Sequence, residues 1–133
     1  MIIEDLANKL ADCPSISIPI ETMLFPAETA NCIVILPAGG KQPEYFFSAT
    51  TGQPNALDYP DVQVQVRYTD THNAYAICEA IRLWLDFNPP TGYVMDRSRE
   101  SQPMNLTNAD DLVMVRGPCY RWSCNFSFVK VRL

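Results

Sequence analysis

The hydrophobic period of the chain changes between residues 61 and 87, and that change limits the available folds more than any other feature. Val62, Val64, Val66 and Tyr68 alternate with Gln63, Gln65 and Arg67, the two-residue repeat of a half-buried strand. Past Tyr68 the apolar positions become Ala74, Ile77, Cys78, Ile81, Trp84 and Leu85, the three-and-four spacing of one helical stripe. Between them, Thr69, Asp70 and Thr71 carry side-chain oxygens suited to capping a helix N-terminus. Asn88-Pro89-Pro90 ends the pattern, because proline lacks the N–H a helix needs and clashes with the preceding turn. A strand that feeds such a helix needs partner strands, and the helix needs a sheet to cover.

Other segments supply both. Ile3, Leu6, Ala7 and Leu10 share a helical face within residues 2–13, with Glu4 and Asp5 in the first turn and Pro14 behind it. Ile16, Ile18 and Ile20 alternate, but Pro14, Pro19 and Pro26 restrict residues 15–29 to extended chain or an edge strand. Residues 31–36 are β-branched and apolar and read as a core strand, which Pro37-Ala38-Gly39-Gly40 is expected to stop with a turn. Residues 111–116 and 120–132 read as two strands joined at Gly117-Pro118. In the last of these Trp122, Cys124, Phe126 and Phe128 share a face; beyond Phe128 the alternation drifts to Val129, Val131 and Leu133. The drift suggests a bulge, or an apolar tail that meets another subunit. The expectation is therefore one α+β domain over residues 1–133: a mostly antiparallel sheet with an N-terminal helix and a central amphipathic helix on one face.

Two stretches show no sustained period and read as long loops, residues 41–59 and 91–109. Loops of this length in a small domain are often functional. The first carries Tyr45, Phe46 and Phe47 in a row, which cannot all point inward from a strand. The second carries Arg97, Arg99 and Glu100 in a run of mixed sign, with arginines able to make charge-assisted bonds to a partner. Only residues 93–95 within it resemble a short strand. With Val129, Val131 and Leu133, these residues form the candidate assembly surfaces.

Catalytic patterns are not found. The single histidine, His72, sits at the start of the central helix, where an exposed or capping role is expected. No phosphate-binding glycine loop or nucleophile elbow occurs. The acidic pairs Glu4-Asp5 and Asp110-Asp111 have no partner base. Five cysteines at irregular spacing (Cys13, Cys32, Cys78, Cys119 and Cys124) lack the close pairs of a zinc site. They are expected as buried thiols in a reduced setting. Neither cofactor nor metal is expected. Fifteen acidic against ten basic side chains give a formal charge of -5, a poor basis for gripping phosphates. Acidic residues near the N-terminus and the shortness of every apolar run point away from a signal peptide or membrane segment.

Tyr59-Pro60-Asp61-Val62-Gln63-Val64-Gln65-Val66-Arg67-Tyr68, followed by Ala74-Tyr75-Ala76-Ile77-Cys78-Glu79-Ala80-Ile81, resembles the strand and helix of tailed-phage minor capsid and tail terminator (tail completion, head-tail joining) proteins. Residues 120–128 resemble their closing strand, and Pro37-Ala38-Gly39-Gly40 stands where they carry a glycine turn. The resemblance covers about half the chain and does not extend to the two loops. It implies a non-enzymatic virion protein at the tail-head junction, assembled in the host cytoplasm. Its partners would be its own copies in a homohexameric ring, the tail-tube protein and the head connector or stopper. DNA would pass through the lumen without specific binding. The alternative is a cytosolic module that binds a protein or ligand through residues 45–47 and the helix faces; a small enzyme with a loop-built site ranks third.

Overall fold

The computed structural model describes residues 2–23, 31–47, 54–97, 100–112 and 118–132, with only the backbone described at 41–47, 54–56, 109–110 and 131–132. Among these residues the elements run α1 (Ile2–Leu10), β1 (Ile20–Thr22), β2 (Cys32–Phe47), β3 (Pro54–Tyr68), α2 (Thr71–Phe87), β4 (Val94–Met95), β5 (Met104–Asn105), α3 (Ala109–Leu112) and β6 (Tyr120–Arg132). The sheet order is β1-β2-β3-β6-β4, with β5 also paired to β6. β1 runs parallel to β2, and every other pairing is antiparallel. This is the expected α+β arrangement, with both long helices on one face.

The alternating residues of β3 build the core. Val62, Val64 and Val66 lie opposite Phe126, Cys124 and Trp122 on β6, while Val64 and Val66 lie opposite Ile35 and Ile33 on β2. α1 adds Ile3, Leu6 and Leu10, and α2 adds Ala74, Cys78, Ile81 and Leu85. Each large apolar side chain buried here contributes about 1.5–3 kcal/mol. Asp70 starts α2 by accepting from the His72 amide at 3.0 Å. Trp122 then fixes that end, donating from Nε1 to Thr71 Oγ1 at 3.0 Å and meeting the Tyr75 ring edge-on at 5.1 Å. His72 itself is exposed beside the cap.

Five expectations need correction. β2 does not stop at Pro37-Ala38-Gly39-Gly40; it passes through them as a bulge and pairs with β3 as far as Phe47. Residues 41–47 and 54–59 are thus strand, not loop. The chain continues because two one-residue slips in register, at 37–40 and 41–44, absorb the glycines and prolines without breaking the ladder. Gly39 and Gly40 have φ of +84° and +127°, and a Cβ on Gly40 would lie 2.2 Å from the Tyr59 carbonyl oxygen. Asp111 and Leu112 belong to the short helix α3, not a strand. A reciprocal pair of bonds makes this turn: Asp111 N–H donates to Asn108 Oδ1 and Asn108 N–H to Asp111 Oδ2. The rest of that expected strand, residues 113–116, and its Gly117 turn lie outside the described residues.

β6 contains no bulge, since its register with β3 runs without a slip from Tyr120↔Tyr68 to Arg132↔Ala56. The loss of apolar alternation after Phe128 is a change of residue type on an unchanged strand; Lys130 keeps the core-side phase, its ammonium 4.8 Å from the Tyr93 ring centre. Finally, β3 is buried on both faces. Gln65 and Arg67 are 8% and 6% exposed, and Cys32, Val34 and Ser123 on the same side are fully buried. Polar groups tolerate this by bonding one another: Arg121 Nε to Asp111 Oδ2 at 2.9 Å, Arg121 to Gln65 Oε1 at 3.5 Å, and Gln65 to Gln63 at 2.7 Å.

Candidate assembly surfaces

Tyr45, Phe46 and Phe47 occupy the far end of the β2–β3 hairpin, opposite Ala56, Asn55 and Pro54. β1 covers β2 only at Ile33, Val34 and Ile35, and β6 follows β3 only as far as Ala56. Among the described residues the hairpin therefore runs past β1 as an arm that β6 flanks as far as Ala56, and only its end, residues 46–47 and 54–55, is two-stranded. Such a ribbon is marginal alone and gains by pairing with or packing on something else. The glycine bulge at its base increases twist and sets the arm's direction relative to the sheet.

Arg97 and Glu100 are brought to the C-terminal half of α2. Arg97 donates to the Asp86 carbonyl, and its guanidinium lies 6.0 Å from the Phe87 ring centre. Glu100 lies 3.6 Å from Arg82, which is bound to Glu79 by two hydrogen bonds. On α2 beside this charged group are exposed apolar side chains that sequence reading passed over, Phe87 (82% exposed) and Leu83 (51%); Val94 (68%) is exposed on β4, where Met95 and not Val94 takes the core side. The signal was present, because Leu83 and Phe87 are four apart and fall off the buried stripe.

Val129 pairs with Val94 of β4, so at that point β6 lies between β3 and β4; Val131 pairs with Leu57 of β3, past the Phe128–Val129 stretch that β4 covers. Backbone bonds from Asp96, Ser101 and Leu106 to the carbonyls of Ser127, Asn125 and Arg121 cover the outer side of β6 between β4 and β5. The register places Val129 and Val94 on the sheet face away from α2, and Val131 beside Leu57 along the hairpin. Arg99 and Leu133 lie outside the described residues.

All five cysteines are buried, and none forms a disulfide. Hydrogen bonding to Cys124 and then burial raise the Cys78 thiol, and burial raises Cys32 and Cys119; thiols held neutral in this way are poor nucleophiles. No group of three or more His, Cys, Asp or Glu among the described residues is placed to hold a metal ion. No helix among them is long and apolar enough to cross a membrane. Open grooves of about 270 and 450 Å³ flank α1. Asp5, Lys9 and Asp12 line the smaller one, but Asp5 accepts the Tyr93 hydroxyl at 3.0 Å and the Lys9 ammonium lies 5.9 Å from the Trp84 ring centre. Two of these three groups are thus engaged in holding α1. No protein-family model matches the chain, and no curated protein does either.

Proposed function

We propose that this chain is a ring-forming structural subunit of a tailed-phage virion, a tail terminator or neck component that caps the tail tube and joins it to the head connector. One observation carries the proposal. The motif at residues 59–81 occurs as β3 leading into α2, and the motif at residues 120–128 occurs as β6 paired to β3, the order the resemblance implies. The arm and the α2 patch add two unlike surfaces, which a heterologous ring contact requires.

The test is solution mass by light scattering, then negative-stain imaging, alone and after mixing with tail-tube protein. Rings are expected, six-membered on the family pattern. A monomer at every concentration, with tail-tube protein present, overturns the proposal. The exposed Leu83 and Phe87 also favour a second reading, a protein-binding module that stays monomeric until its partner arrives.

A further inference from the structure

We infer that Glu100 is held protonated against the charged C-terminal half of α2, and that losing this proton releases residues 100–105 from α2 and uncovers the outer edge of β6. The inference is independent of the phage proposal and rests first on a charge count. Among the described residues, α2 contributes Glu79, Arg82 and Asp86 to this cluster, and the chain beyond β4 contributes Arg97 and Glu100. Three carboxyl groups face two guanidinium groups.

The geometry shows which group is short of a partner. Arg82 spends two donors on Glu79 and stands 3.6 Å from Glu100. Arg97 bonds the Asp86 carbonyl and reaches the Asp86 carboxyl only at 4.0 Å. Asp86 Oδ1 and Glu100 Oε1 are both buried without a hydrogen-bond donor, and the Glu100 side chain is 8% exposed. Buried carboxyl oxygens without donors are costly unless one group is protonated and donates to the other. A proton on Glu100 removes one of the three negative charges and balances the cluster. In agreement, burial and then the neighbouring Asp86 carboxylate push Glu100 up to about 7, against the pull of Arg82.

The sign follows from linkage. The folded state retains a proton that unfolded glutamate loses near pH 4.3, so closure is tightest in acid, weakens as pH rises from about 4.3 to about 7, and changes no further above that. Few bonds oppose release. Residues 100–105 meet β6 through Ser101 N–H to the Asn125 carbonyl, Asn125 N–H to Ser101 Oγ, and the short β5 ladder. Their departure exposes the backbone around Asn125, an edge that another strand can pair with.

The test is a carbon-13 NMR titration of the Glu100 carboxyl. It is combined with amide hydrogen exchange at Ser101 and Asn125 from pH 5.5 to 8.5, corrected for the intrinsic rate. Glu100 should titrate well above ordinary glutamate, near 7, and local opening should rise by up to about tenfold per pH unit below that midpoint and level off above it. Glu100→Gln should remove that pH dependence, and Asp86→Asn should shift it to lower pH, since burial alone still raises Glu100. An ordinary carboxylate midpoint overturns the inference in the unmodified chain, where folding of a variant is not in question. So does opening that ignores pH, or that keeps its pH dependence in Glu100→Gln.

Discussion

Gly40→Ala tests the structure where sequence and fold disagree most, at the bulge that carries β2 into the arm. A Cβ there would sit 2.2 Å from the Tyr59 carbonyl oxygen and 3.1 Å from the Asp61 nitrogen. The closest comfortable carbon–oxygen contact is about 3.3 Å, so the overlap is about 1.1 Å. Both obstacles are backbone, and no rotamer change relieves them. The strands must part, which costs one or two ladder hydrogen bonds at about 1 kcal/mol each. The backbone conformation, with φ of +127°, adds about 1–3 kcal/mol of strain for alanine. The sum is about 2–5 kcal/mol. Gly39→Ala is the internal control, with φ of +84° but nothing within 4 Å of its Cβ; it should carry only backbone strain, about 1–2 kcal/mol. Any stiffening of the unfolded chain is common to both variants and cancels in the comparison. In a chain of 133 residues, 1 kcal/mol corresponds to about 3.6 °C in Tm. Urea unfolding at 25 °C, with thermal scans beside it, should place Gly40→Ala below Gly39→Ala by about 1–3 kcal/mol. Equal costs would refute the close approach of Gly40 to β3 and the bulge with it.

Asp70→Ala removes the side chain that accepts from the His72 amide and should lower stability by about 1 kcal/mol, with Asp70→Asn restoring most of it in the same denaturant titration. Tyr93→Phe deletes the 3.0 Å bond to Asp5 that ties the chain before β4 to α1, at a cost of about 1 kcal/mol at neutral pH. Burial, then Asp5, pushes the Tyr93 phenol up to about 12. The folded state therefore keeps a proton that the unfolded chain sheds near 10, and stability should fall as pH rises from about 10 towards 12. That alkaline slope should be shallower in Tyr93→Phe. Leu83→Ser combined with Phe87→Ser should change unfolding free energy by less than about 1 kcal/mol, because both sites are exposed; if these residues form an interface, the same variant should lose assembly by light scattering.

The β3–α2 unit was legible because its periodicity is strong and its punctuation agrees with it: alternating valines, Asp70 at the cap, and Asn88-Pro89-Pro90 at the end. The arm was not. Pro37, Gly39, Gly40, Pro43 and Pro54 are turn residues by local preference, and only pairing along a partner strand lets them sit in a ladder with slips in register. The polar face of β3 misled for a related reason. Gln63, Gln65 and Arg67 announce solvent by residue type, yet Arg121 and Asp111, distant in sequence, bond into the same layer. In the candidate surfaces, Arg97 and Glu100 were found by charge pattern. Leu83 and Phe87 fall off the apolar stripe legible in the sequence, but single apolar residues on an exposed face are common and do not mark a site until the fold sets them beside a charged cluster.

The position of β6 alters how the ring proposal should be tested. Because the terminal strand pairs with β3 through Arg132, deleting residues 129–133 would remove that ladder and confound folding with assembly. Mixing two surface variants avoids this. In a heterologous ring the arm of one copy meets the α2 patch of the next, so a Phe46→Ser chain keeps its patch and a Leu83→Ser/Phe87→Ser chain keeps its arm. Neither variant should assemble alone. Mixed in equal amounts, they retain one sound contact per pair, and growth should stop at a heterodimer because both remaining surfaces are defective. An arm-to-arm contact predicts instead that the patch variant dimerises alone and that mixing adds nothing. The mass of the mixture, by light scattering or native mass spectrometry, separates these outcomes, and a patch variant that dimerises alone would refute the arm-to-patch ring.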